Sequence, residues 1–270
     1  MKFTAQDVIE TITRAVPSFR PHATCDTLKS GQLTDEVRGI AVTFTATRDV
    51  LARAIKLGAN FIITHEPTYY NDERLAELTG DPVIESKQRF IAENGLTIWR
   101  CHDSWHQLKP DGILTGMTRQ LGWQKFQHAE HPELFDLPAQ TLGDLISHLK
   151  KALQVPALRF IGDPSRSITR VAFSCGCPSW DSHRSLINLP GVDVLICGEI
   201  REWETCEYVR DAISAGRPIG LIVVGHCNSE EAGMNYLADW LRERLAGVPI
   251  QFVPACDPFS YATASAATEG

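Results

Sequence analysis

Short apolar runs recur along this chain, and most are followed by a polar loop and then by a segment with helical spacing. Residues 39–45 (GIAVTFT), Phe61–Thr64 (FIIT) and 96–100 (LTIWR) read as strands in the first half. Residues 170–174, 192–197 (VDVLIC), 219–224 and 249–253 read as strands in the second. Segments 48–57, 82–94, 113–121, 141–153, 203–215 and 231–245 carry helical patterns, and a further helix is expected to begin near Asp181. Gly58 and Gly95 stand where the first two of these should stop. Continuous apolar strands alternating with helices predict mostly parallel sheets covered by helices. The expected fold class is therefore α/β, with mixed, mostly parallel sheets in two lobes. The expected boundaries are 1–125 for the first lobe, 126–168 for a connecting segment without strong strand signals, and 169–260 for the second lobe. Residues 261–270 are low in complexity and are expected to be disordered.

At 270 residues, with 43% hydrophobic residues, the chain can bury a core of this kind. Its net charge of -7, with no run of like charges, argues against binding nucleic acid through the overall field. No apolar stretch approaches the roughly 20 residues that span a bilayer, so no membrane partner is expected. The first residues, MKFTAQDVIETITRAV, are too polar for a signal peptide and read as a helix over about 5–15 capped by Thr4. A cytoplasmic location is the resulting expectation. The eight cysteines form no spaced framework, and Cys175-Gly176-Cys177 lacks the two-residue spacer of a zinc knuckle. Most are expected to be buried small hydrophobes.

Several strand ends carry ionisable donors. The run Phe61–Thr64 stops on His65 and Glu66, with Pro67 behind them. The strand at 96–100 is followed by CHDSWHQLKPDG, which holds His102, Asp103 and His106. The strand at 219–224 leads into GHCNSEE, with His226, Glu230 and Glu231, and ICGEIREWE offers Glu199. In open α/β sheets, function collects at the carboxyl ends of strands. Mixed imidazole and carboxylate ligation suits Zn, Mn, Fe, Co or Ni and does not suit an all-oxygen calcium site. The residues alone leave a plainer reading open. Asn228 or Ser229 could cap a helix that Glu230 favours electrostatically, and Asp103 could be a turn residue. His22, His128, His131, His148 and His183 have no partner placed by the sequence.

These stretches resemble the Nif3-like family (DUF34), also described as GTP cyclohydrolase 1 type 2 or dinuclear metal-centre proteins. GANFIITHEP is similar to the family's first motif, which usually ends in two histidines. CHDSWHQLKPDGI is similar to the second, a histidine followed four residues later by aspartate. GVDVLICGEI and VVGHCNSEEAG resemble the third and fourth. The resemblance covers most of residues 1–255. It implies two similar α/β lobes with a metal cleft between them, and one or two divalent transition metal ions held by His65, Glu66, His106, His226 and Glu230. It places His102 beside the centre and Glu199 on an acidic position lining it. It also implies a homo-oligomer, either a dimer or a hexamer built from dimers. Two residues depart from the family pattern: Glu66 replaces a histidine and His106 replaces an aspartate. Bridging between two ions then falls to Glu66 and Glu230, and a single-ion centre stays open.

The resulting functional expectation is a metal-dependent hydrolase. An activated water attacks a C–N centre of a small-molecule substrate, such as an amide, amidine or ring carbon, with Glu199 or His102 moving the proton. The alternative expectation is a non-catalytic metal-binding regulator or metal-delivery protein using the same ligands. Tyr69, Tyr70, Trp105 and Trp180 lie in the expected loops as candidates for stacking on a planar ring.

Overall fold

The structure, a computed structural model, describes residues 2–16 and 24–262. In chain order, the elements of the first part are β1 (Phe3–Thr4), α1 (Ala5–Thr13), β2 (Leu28–Ser30), β3 (Glu36–Val37), β4 (Ile40–Thr43) and α2 (Arg48–Lys56). Next come β5 (Phe61–Thr64), α3 (Pro82–Glu93), β6 (Thr97–Arg100), α4 (Asp103–Gln107) and α5 (Gly112–Leu121). They are followed by β7 (Leu134–Thr141), α6 (Leu142–Leu153), β8 (Arg159–Ile161), β9 (Ser167–Ser174) and α7 (Trp180–Ile187). The last are β10 (Val194–Cys197), α8 (Glu207–Ser214), β11 (Gly220–Val223), α9 (His226–Arg242) and β12 (Ile250–Phe252). The chain divides into two compact units, Met1–Met117 with Glu230–Ala255, and Thr118–Ser229 with the remainder.

The first unit holds a five-stranded sheet in the order β12-β4-β5-β6-β2. The β12, β4, β5 and β6 strands run parallel, and β2 closes one edge antiparallel. Every residue of β4, β5 and β6 is buried, as the unbroken apolar runs predict. Ile62 and Ile98 pack with Val50, Leu51 and Ala54 of α2 and Ile91 of α3 in one core. Caps set where the helices begin. The Thr47 side chain accepts the Val50 N–H, and Asp81 accepts the N–H groups of Val83 and Ile84 with Pro82 at the first helical position. Helix α1 starts at Thr4 through a reciprocal capping box with Asp7, as the sequence predicts.

The second unit repeats the plan in a sheet ordered β7-β9-β10-β11-β8. Here β9, β10 and β11 are parallel, and β7 and β8 are antiparallel edges. Leu195 and Leu221 meet Ile187 of α7 and Val209 of α8 in its core. This is the mixed, mostly parallel α/β architecture expected.

Three expectations need correction. The segment 126–168 is not merely a connection, because it supplies both edge strands of the second sheet. Strand β7 contains Pro138, which cannot donate a ladder hydrogen bond and is tolerated only at an edge, and its pairing with β9 is irregular there. Strand β12 was expected in the second lobe but pairs with β4 in the first. Strand partners are set by remote packing that a local apolar pattern does not report. Of the eight cysteines only Cys101, Cys197 and Cys227 are buried; Cys177 and Cys256 are exposed. His22 and residues 263–270 of the expected disordered tail lie outside the described residues. Among the described residues, no helix is long and apolar enough to cross a membrane.

Candidate metal centre

Strand β5 delivers His65 at its carboxyl end. Its partner β4 has already finished, so the His65 N–H turns to the Thr43 and Phe44 carbonyls at 3.2 and 3.1 Å. The Glu66 N–H bonds Phe44 O at 2.9 Å, and the Thr64 hydroxyl donates to Glu66 O at 3.1 Å. This turn is why the two side chains do not diverge as in a continuing strand. Donor atoms of His65, Glu66 and Glu230 all lie within 4.8 Å of one another.

His65 is fully buried. Its Nδ1 lies 3.1 Å from the carbonyl of Cys101, the residue after β6, which fixes Nδ1 as the protonated nitrogen. Nε2 is then a lone-pair donor. It is buried without a hydrogen-bond partner among the described residues, 3.4 Å from Glu230 Oε2. An imidazole oriented through one nitrogen, with the other aimed at a carboxylate, is the arrangement of a metal ligand.

The second donor loop behaves the same way. His102 and His106 flank the start and end of α4. His102 Nδ1 lies 2.9 Å from Asp103 Oδ1, and His106 Nδ1 lies 2.9 Å from Asp111 Oδ2. His106 Nε2 reaches to 3.9 Å from Glu230 Oε1. The three rings converge, with centroids 4.5 Å apart for His65 and His102, 5.1 Å for His65 and His106, and 4.9 Å for His102 and His106. One donor atom from each falls in a group within 4.8 Å.

The charges around the rings differ. Burial, reinforced by the neighbouring His65, lowers the His102 pKa against the opposing hydrogen bond of Asp103. Burial works to lower that of His106 too, but the hydrogen bond and charge of Asp111, with Glu230 behind, raise it overall. Burial pushes the Asp103 carboxyl up, yet hydrogen bonds from His102, Thr24 and Cys25 outweigh it and hold it at about 2. Buried Arg100 donates to His65 O at 3.0 Å and lies 3.7 Å from Glu66 Oε2. A second cluster, Cys25, His102 and Asp103, is also close enough to hold an ion. There Asp103 is already engaged by three donors, and burial drives the Cys25 thiol up to about 12. The hydrogen bonds that Asp103 accepts make this group packing around His102.

In the second unit, His226 opens α9 and Glu199 follows β10. His226 Nδ1 lies 2.9 Å from Glu199 Oε2, again a ring oriented by a carboxylate. Gly198 permits this turn, since a Cβ there would stand 2.4 Å from both Gly176 O and Ser229 Oγ. His226 belongs to the helix itself, which begins before Asn228 and Ser229; neither is its cap. The other described histidines lie elsewhere: His148 Nε2 is 3.0 Å from Leu121 O, His183 Nδ1 is 3.0 Å from the Thr205 hydroxyl, and the His128 and His131 rings face each other at 5.8 Å. Of the candidate stacking aromatics, Trp105 and Tyr69 are buried and Trp180 packs on Tyr208, while Tyr70 is 64% exposed.

Sequence reasoning missed Asp26, Arg100 and Asp111. An arginine closing an apolar strand was the available signal for Arg100. Asp111, before Gly112, reads as a helix cap and does accept the Leu114 N–H at 3.0 Å.

The model of the Duf34/NIF3 (NGG1p interacting factor 3) family matches residues 4–258. The chain belongs to this family. A Clostridium perfringens relative named "GTP cyclohydrolase 1 type 2 homolog" is 24% identical over 247 residues, covering 87% of this chain and 90% of the relative. A solved Bacillus cereus protein related to NIF3 superposes with a TM-score of 0.77 at 16% identity, covering 97% of this chain and 99% of that one. A Staphylococcus aureus structure gives 0.76 at 17% identity, covering 96% and 99%. At these identities the structures share the fold. The donor set of the first unit, mixed nitrogen and oxygen with one buried imidazole nitrogen lacking a hydrogen-bond partner, fits a divalent transition metal ion.

Proposed function

We propose that the protein is a metal-dependent hydrolase that attacks a C–N centre, in an amide, an amidine or a ring, of a small-molecule substrate. The observation that carries this reading is the buried His65 Nε2, which faces Glu230 beside two further oriented imidazoles. A bound ion supplies Lewis acidity and lowers the pKa of water toward neutrality. His65, His106 and Glu230 would hold it, with Glu66 as a further ligand within the same unit for one or two ions. His102, its Nδ1 committed to Asp103, takes and returns the proton. The name of the Clostridium relative agrees with hydrolytic opening of a ring C–N bond. We place the protein in the cytoplasm as a homo-oligomer, a dimer or a hexamer of dimers, which light scattering checks.

A second reading, a metal-binding regulator or delivery protein, draws support from the same donor richness. Three imidazoles and two carboxylates suffice to fill the sphere of a four-coordinate ion, as in structural sites. The experiment that separates the two is a hydrolytic screen of amides, amidines and purine nucleotides with protein loaded with each metal found in it. Turnover that disappears in His102→Gln while metal stays bound supports the hydrolase. Loaded protein inactive on every class favours the binder.

A further inference from the structure

Thr24, Cys25 and Asp26 precede the second donor loop by nearly eighty positions, yet Asp26 and Asp103 tie the two segments together through a continuous set of hydrogen bonds. Asp26 is only 6% exposed. Its Oδ1 accepts the backbone N–H groups of His102 and Asp103, both at 2.8 Å. Its Oδ2 accepts the Ser104 N–H at 2.8 Å and also the Ser104 hydroxyl. Helix α4 has no side-chain cap from the residue just before it, His102. Asp26 supplies from a distance what a local capping residue normally supplies. Asp103 Oδ2 accepts the Thr24 hydroxyl at 2.8 Å and the Cys25 N–H at 3.1 Å, while Asp103 Oδ1 faces His102 Nδ1. The Thr24 hydroxyl in turn accepts the Asp26 N–H at 3.1 Å.

A carboxylate taken out of water is costly unless hydrogen bonds replace its hydration. Asp26 accepts from five donors, four of them on the consecutive residues 102–104 of the donor loop and the fifth the Cys25 thiol at 3.7 Å. Their geometry can be met by one backbone conformation of residues 102–104, and α4 carries that conformation on to His106. We infer that Asp26 is a positioning residue for the metal centre, fixing His102 through Asp103 and His106 through α4. The inference rests on the metal reading above. Ligand atoms must be held within about 0.5 Å of their working positions, and losing an outer partner costs about 10–100-fold in metal affinity. A residue that served folding alone would lower stability and leave affinity unchanged.

The test uses the full chain, zinc competition against a fluorescent chelator, the visible spectrum of the cobalt-loaded protein, and melting of the metal-free protein. Asp26→Asn keeps the shape but turns an NH2 group toward backbone donors. Asp35→Asn is the structural control: Asp35 lies in the same unit and accepts from the Gln32 N–H at 2.7 Å and the Thr97 hydroxyl at 2.6 Å. Asp26→Asn is expected to weaken zinc binding at least about tenfold and alter the cobalt spectrum. Asp35→Asn is expected to lower the melting temperature with zinc affinity intact. Thr24→Val, a milder change that keeps the test open if Asp26→Asn does not fold, is expected to weaken zinc about threefold. Wild-type affinity and spectrum in folded Asp26→Asn, or in Thr24→Val where Asp26→Asn is unfolded, overturns the inference. A wild-type chain that binds no zinc or cobalt overturns the metal reading itself, and this inference with it.

Discussion

Lys87 of α3 is 4% exposed, and its ammonium donates to the carbonyl of Thr68, just past the His65-Glu66-Pro67 turn. It also lies 5.0 Å from the centre of the Tyr70 ring. Asp72 fastens the same loop by accepting the Thr68 and Tyr69 N–H groups at 3.1 and 2.7 Å. Burial pushes the Lys87 pKa from 10.5 to about 8, against the pull of Asp72. The folded pKa is the lower one, so between about pH 8 and 10.5 the unfolded chain holds more protons. Stability from this residue therefore rises with pH across that window, and the full cost is present below it. A drop from 10.5 to about 8 corresponds to about 3 kcal/mol. Lys87→Met removes the titration, so its stability relative to wild type should be most favourable at pH 7 and fall by up to about 3 kcal/mol by pH 10. Urea unfolding of both proteins across that range checks this, and a difference independent of pH contradicts it. At this scale much of the candidate donor cluster was legible. His65, Glu66, His102 and His106 each follow a strand that reads plainly as buried, and Glu230 stands close behind another. Asp26 was not legible, because the backbone N–H groups that its carboxylate binds lie more than seventy residues away and its own surroundings look like a loop.

Helices α5 and α9 meet at glycines. A Cβ on Gly116 would stand 2.3 Å from Ala232 O and 2.5 Å from Gly233 Cα, and one on Gly233 would stand 2.4 Å from Ile113 Cα. Buried Trp105 of α4 donates its Nε1–H to Gly233 O at 3.0 Å and packs against Trp240 and Tyr236. Gly233 thus lets α9 approach the elements that carry His106, with Glu230 three residues earlier. Gly233→Ala forces backbone apart, and overpacking of this kind costs about 3 kcal/mol. The variant should melt lower and bind zinc more weakly, as melting and chelator competition will report; unchanged values of both contradict this account. A glycine inside a helical pattern marks close packing in the sequence, but it does not name the partner. The same limit explains the strands. β4, β5, β6, β9, β10, β11 and β12 were readable from apolar runs, though not the partner of β12, whereas β7 and β8 are edges whose character comes from the neighbour they pair with.

For the molecule as a whole, two α/β units of like plan carry the donors at strand ends, and the family match spans nearly the full chain. Within the first unit three oriented imidazoles and two carboxylates come together, and within the second a histidine is oriented by Glu199. The central claim is that these groups bind metal. Elemental analysis of protein purified without chelator tests it most directly, alongside the His65→Ala/His106→Ala double variant with circular dichroism as the folding control. The prediction is about one or two divalent transition metal ions per wild-type chain, and loss of most of that metal in the double variant with the wild-type far-ultraviolet spectrum retained. Metal-free wild-type protein, or a folded double variant with undiminished metal, contradicts it.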